Sequence, residues 1–245
     1  FIHKYETGDG TLGCMTIALK NSQLHPPVRG VHMAWAAASV AAMFAGAAIV
    51  GIAFGLSCDG DSSWIALGVS LGGAISGLGI LWYGFYRRLG WSRRDFGFLP
   101  CTHSLWHLLW WIPLTLLGGG AATGVIGWQF GTEQESSSIA DGIDISPVAA
   151  VLAAVCGAVV IPLIEEVVFR RVLFDWLQGR MPTAIAASLT VAIFAVMHGI
   201  PMVVVYLIFA GTSLIVARLW FRSLTAPFLI HCVNNAVVFL VALNG

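Results

Sequence analysis

The sequence predicts an all-α, polytopic transmembrane helical bundle with about seven spans and up to eight helices. Three observations predict it. Hydrophobic residues make up 58% of the 245-residue chain and charged ones only 10%, where a soluble domain is nearer half apolar and a quarter charged. The apolar residues fall in seven runs, about 31–56, 64–86, 104–127, 147–177, 183–199, 202–221 and 225–244. Each is near the roughly 20 residues a bilayer crossing needs, with the fourth long and the fifth short. Third, the charges between the runs alternate in sign.

Taken in order, residues 1–30 are mixed and polar and end at Pro26-Pro27. They are expected to form a cytoplasmic N-terminal segment with a short interfacial helix, ahead of a transmembrane domain over 31–245. The chain opens on Phe1 rather than Met, so the natural start is expected upstream. Thr-Leu-Gly-Cys14 has no apolar region before it and is not read as a signal peptide. Lys4, Lys20 and Arg29 precede span one, and Arg87, Arg88, Arg93 and Arg94 separate spans two and three. Arg170, Arg171 and Arg180 close span four, and Arg218 and Arg222 close span six. These are all twelve basic residues, and they share one side of an alternating topology. The opposite loops hold Asp59, Asp61, Glu133, Glu135, Asp141 and Asp144 and no basic residue. The positive-inside rule then puts the amino terminus in the cytoplasm and the carboxyl terminus outside, as for a prokaryotic inner-membrane protein.

In span two, Gly68, Gly72, Gly73, Gly77 and Gly79 are spaced for close backbone approach between helices. Trp64, Trp106, Trp110, Trp128 and Trp220 lie near span ends, as in an interfacial aromatic belt. Residues 128–146 form the longest outer loop, with no chemistry assigned. The five cysteines are scattered without a CxxC spacing, which fits neither a zinc site nor a disulfide framework. Net charge is zero and no basic run is present, so nucleic acid is not an expected partner.

Ionisable side chains in hydrocarbon cost roughly 2.5 to 3.5 kcal/mol each on insertion scales, so those retained there point to function. Span four carries Glu165-Glu166-Val-Val-Phe-Arg170, the fifth run ends in Phe194-Ala-Val-Met-His198, and span seven carries His231-Cys-Val-Asn-Asn235. Adjacent glutamates diverge by about 100° on a helix, so the two do not face one cavity equally. Glu166 and Arg170, four apart, are spaced for an ion pair. That leaves Glu165 to face inward, where a partly desolvated carboxylate suits a general base. His231 and Asn235, also four apart, put two hydrogen-bond donors on one face, suited to an oxyanion. Each element alone has a structural explanation: an ion-pair cluster at a helix end, a packing histidine, interhelical polar glue. Three together point to catalysis of amide hydrolysis. For all three to share a depth, the span-four helix must run on to about Gln178. His103 and His107 are also four apart but lack the Glu of HExxH and read as interfacial residues.

EExxxR, FxxxH and HxxxN in this order resemble the CPBP family of intramembrane proteases, also called Abi or type II CAAX-endopeptidase-like. The resemblance covers about residues 85–240, the protease core, and includes the lead-in Leu89-Gly90-Trp91-Ser92-Arg93-Arg94-Asp95-Phe96-Gly97. It implies a CAAX-endopeptidase-like helical fold. It implies that Glu165 with His198 activates the attacking water, and that His231 and Asn235 stabilise the oxyanion. Glu166, Arg170 and Phe194 would support them. Which arginine of the Arg170-Arg171 doublet pairs with Glu166 is blurred, and spacing favours Arg170. The implied partners are the lipid bilayer and a membrane-anchored peptide or protein, prenylated or not, bacteriocin and signal-peptide precursors among them. The family is often labelled a metalloprotease, and Glu165, His198 and His231 would be the ligands of a zinc ion. Asn235 and the lack of HExxH favour no cofactor. The rival reading is a non-catalytic membrane subunit or bacteriocin-immunity protein that binds a membrane-complex partner on a protease-like scaffold. A transporter would want polar groups along a path and broken helices in both halves, whereas here they cluster late in the chain.

Overall fold

The structure, a computed structural model, describes residues 27–130 and 147–244. The N-terminal segment and most of the outer loop therefore lie outside the described residues. Among these the chain is all-helical, with seven apolar helices: α1 (Gly30–Ser57), α2 (Ser62–Arg88), α3 (Leu108–Phe130), α4 (Pro147–Gln178), α5 (Thr183–Val196), α6 (Pro201–Phe221) and α7 (Thr225–Asn244). Five elements, α1, α2, α3 with the 3₁₀ turn Leu105–His107 before it, α4 and α6, are long and apolar enough to cross a membrane. α5 and the apolar part of α7 are shorter.

The bundle is apolar on the outside. Ile49, Leu56, Ile75, Leu109, Leu117 and Val148 are each more than two-thirds exposed. Glu166, Arg170 and Arg171 are fully buried. This inversion of the soluble pattern is what a lipid solvent selects. The protein is an integral membrane protein.

α1 and α2 pair along their length through the glycines. A Cβ on Gly72 would lie 2.2 Å from the Gly46 carbonyl oxygen, and one on Gly46 would lie 1.8 Å from Ser76 Oγ. Gly79, by contrast, faces open space. Gly72→Ala is therefore expected to destabilise the fold by about 1–3 kcal/mol through overpacking. Gly79→Ala is expected to be neutral or slightly stabilising. Detergent unfolding followed by tryptophan fluorescence separates the two.

α4 is the hub, packed against α1, α2, α5 and α7. It is one continuous helix to Gln178, as the common depth of the polar residues requires, but it widens twice into π-helix, at Cys156–Val160 and Glu166–Leu173. The first widening precedes Pro162, whose ring clashes with the carbonyl four residues back in α-register. The second carries Arg170 and Arg171, the residues sequence spacing alone left ambiguous. Arg170 pairs with Glu166 at 3.1 Å. Arg171 points elsewhere: its Nε donates to the Asp95 carbonyl at 2.7 Å, and its NH1 pairs with Asp175 at 2.8 Å. Its guanidinium also stacks on Trp91, 4.9 Å from the ring centroid. The lead-in segment before α3 is thus clamped to α4, with Trp91 buried against Phe85 and Phe96.

Candidate active site

The polar side chains of α4, the α5–α6 turn and α7 meet on one side of the second π segment. Glu165 and Glu166 are both buried, and both reach His231. This differs from the expectation that only one glutamate would face the site. An imidazole carries nitrogens on two edges, so two diverging carboxylates can hold one ring. Glu166 Oε1 lies 2.8 Å from His231 Nδ1, and Glu165 Oε2 lies 3.5 Å from His231 Nε2. An ionised carboxylate cannot donate, so beside Arg170 the Glu166 oxygen accepts from Nδ1–H and sets the ring's tautomer and tilt.

Arg170 is buried among apolar side chains. Its guanidinium stacks at 4.1 Å on Phe194, which in turn stands edge-on to Phe169, His198 and His231. Phe194 is thus the packing hub that spaces the two imidazoles.

His198 is not inside a helix. α5 ends at Val196 after 14 residues, about 21 Å of rise. Gly199 then takes φ +74°, the left-handed conformation that ends helices, and Pro201 begins α6. His198 therefore sits in a turn at membrane depth, where irregular backbone persists only beside protein or a wet cavity. Its Nδ1 lies 2.9 Å from the Phe194 carbonyl, so Nδ1–H donates there and Nε2 is left facing Glu165 Oε1 at 4.0 Å. That separation is too long for a direct hydrogen bond, but a water bound beside the pair can reach both atoms at about 2.8 Å. The His198 side chain is 32% exposed and Glu165 is 10% exposed, so the pair lies at the edge of the buried cluster.

Asn235 does not point along with His231. Its Nδ2 donates one hydrogen to the Gly157 carbonyl at 3.1 Å. That carbonyl is available for a local reason. In the π-register of Cys156–Val160, Ile161 N–H bonds to Cys156 O, and the next bond in the ladder would join residue 162 to Gly157. Residue 162 is proline and has no N–H to give. Asn234, passed over by spacing arguments, is buried and faces a water-sized cavity of about 10 Å³ with His231, Thr115 and Phe194. Thr115 also lines a much larger apolar groove of about 910 Å³ between α3 and α6. The Thr115 and Ser213 hydroxyls, 2.6 Å apart, stand at its wall.

Among the described residues, no group of three or more His, Cys, Asp or Glu side chains is arranged to hold a metal ion. Glu165, His198 and His231 approach one another but do not converge as a ligand set. His103 lies tilted against Trp220, with ring centroids 4.6 Å apart, and its Nδ1 is 3.0 Å from the Trp220 carbonyl oxygen.

Compared with known proteins, residues 147–237 match a family model described as type II CAAX prenyl endopeptidase Rce1-like. No curated protein and no solved structure matches the chain. The matched stretch begins at the first residue of α4 and ends two residues past Asn235, so it holds the whole polar cluster and excludes α1–α3. The four helices that gather these carboxylates, imidazoles and amides are thus the part of the chain that is similar to an Rce1-like domain, a match consistent with the CPBP family of CAAX-type proteases.

Proposed function

We propose that the protein is an endopeptidase that hydrolyses a peptide bond of a membrane-associated substrate with water activated by Glu165 and His198. The observation that carries this reading is the 4.0 Å gap between Glu165 Oε1 and His198 Nε2. At that separation a single water bound beside the pair reaches both groups, each of which is able to take a proton. Water oxygen attacks the scissile carbonyl carbon, and its proton passes to Glu165. The tetrahedral oxyanion accepts a hydrogen bond from the second N–H of Asn235 and, with Nδ1–H held by Glu166, from Nε2–H of His231 in its doubly protonated form. The C–N bond then breaks, the proton moves to the departing amine, and no acyl-enzyme forms. Glu166 orients His231, Arg170 offsets the Glu166 charge, and Phe194 spaces the imidazoles.

The groove between α3 and α6 is our proposed seat for the substrate's apolar anchor, supported by Thr115, which lines both that groove and the cavity beside His231. We take the protease core as about 85–240, a reading supported by the contacts of Arg171 on α4 with Asp95 and Trp91 of the lead-in segment. The one-sided distribution of basic residues supports an amino terminus in the cytoplasm and a carboxyl terminus outside, and the proposed setting is a prokaryotic inner membrane.

The test is purified protein in nanodiscs incubated with two probes: a farnesylated peptide ending in Cys-aliphatic-aliphatic-X, and an unprenylated peptide on a transmembrane anchor. Products are read by mass spectrometry. Cleavage of either probe at one bond supports the reading, and which one is cleaved settles the substrate class. If neither is cleaved, the protease reading fails, and a non-catalytic or immunity role with a membrane partner takes its place. The expected chelator result is unchanged cleavage, because Asn235 suits an oxyanion and the sequence has no HExxH helix. Loss with chelator and recovery with zinc would overturn the metal-free mechanism.

A further inference from the structure

Asn235 is the far end of a chain of polar groups that crosses the bundle. Tyr206, half-buried on α6, donates its hydroxyl to Asn234 Oδ1 at 2.5 Å. Asn234 Nδ2 faces Asn235 Oδ1 at 3.4 Å, and Asn235 Nδ2 donates to Gly157 O at 3.1 Å. The chain has one possible sense. A carbonyl only accepts, so Gly157 requires the nitrogen of Asn235. The oxygen of Asn235 must then face Asn234, which presents its nitrogen. The oxygen of Asn234 is left toward Tyr206, whose hydroxyl must donate. Neither carboxamide can flip without setting oxygen against oxygen at one contact and stranding a donor at the next.

Both ends are anchored. At Gly157, the π-widening and the missing N–H of Pro162 free the carbonyl that receives the chain. At Tyr206, the ring lies against the backbone of α3, where a Cβ on Gly119 would come within 2.6 Å of it. We propose that Tyr206, acting through Asn234, is a positioning residue. It holds the Asn235 carboxamide in the single orientation that leaves one N–H for the oxyanion. Tyr206 itself touches no reacting atom. This rests on the reading of Asn235 as an oxyanion donor.

The test is a double-mutant cycle on whichever of the two probe peptides is cleaved, in nanodiscs. Asn235→Ala is expected to lower kcat on the order of 100-fold, the loss of one oxyanion donor. Tyr206→Phe, which removes only the hydroxyl, is expected to lower kcat on the order of tenfold with KM unchanged. In the Asn235→Ala background the same change is expected to have no further effect. A Tyr206→Phe effect that persists undiminished in that background, or appears in KM alone, overturns the proposal, as does no effect at all. A substrate-free measurement keeps the two readings separable. In protein labelled with ¹⁵N-asparagine, Tyr206→Phe is expected to shift the side-chain amide resonances of both Asn234 and Asn235. A shift confined to Asn234, or none, overturns the relay whether or not the protein cleaves either probe. Failure of wild-type cleavage with both amides shifted would sink the protease reading and leave the relay standing.

Discussion

Glu165→Gln is expected to lower kcat/KM by about 10³, within the range that a positioned general base supplies. The substitution keeps the shape of the side chain and its reach toward His198 and His231, so the fold should be retained. What it removes is the ability to accept a proton from water across the 4.0 Å gap to His198 Nε2. The measurement is cleavage of the membrane-anchored probe, with thermal unfolding of the same preparation as the control for folding. Normal cleavage by Glu165→Gln would end the catalytic role assigned to this residue. It would also return the non-catalytic reading to first place. Glu166→Gln tests a different step. It leaves Glu165 in place but weakens the hydrogen bond that sets the His231 ring, so activity should fall while the proton acceptor is intact.

Arg170→Met is expected to destabilise the protein by about 3–5 kcal/mol, the cost of leaving one partner of a buried ion pair uncompensated. Arg170 and Glu166 are both fully buried, 3.1 Å apart, and the guanidinium is stacked on Phe194. Without it, the Glu166 carboxylate keeps only the His231 Nδ1–H. The double variant Glu166→Gln with Arg170→Met removes both charges and should recover much of the lost stability, because a neutral pair carries no buried charge. Unfolding in detergent across the four proteins of this cycle gives the coupling energy. Additive losses would show that the pair contributes through packing on Phe194 rather than through charge. Arg171 serves as a contrast. Its partners are Asp175, the Asp95 carbonyl and Trp91, so its loss should loosen the lead-in segment rather than disturb the Glu166–His231 contact.

Much of this architecture is legible before any coordinates. The boundaries of the seven apolar runs fall within a few residues of the helices, because a lipid solvent imposes length and composition directly on each segment. The Glu166–Arg170 pair is legible because four residues on one helix is a local distance. The encounter of Glu165 with His198 and His231 could be anticipated only as a convergence. Spacing within a helix says which side chains share a face, not which face of a neighbouring helix meets it.

Other features had signals that spacing arguments passed over. Gly199 and Pro201 mark the end of α5, and with it the placing of His198 in a turn. Pro162 marks the freed carbonyl at Gly157 that takes Asn235. Asn234 stands beside Asn235 in the sequence, yet only the tilt of α7 against α6 shows that it meets Tyr206.

Composition and charge order by themselves establish a polytopic helical membrane protein that retains costly polar groups in its last four helices, since both follow from the free energy of transfer between water and lipid. Which glutamate holds which edge of His231, and which way the two amides point, was decided by packing. Those orientations depend on the register of α4, α6 and α7 against one another and on two π-helical widenings. Such features arise from contacts between segments far apart in the chain, and no local pattern encodes them.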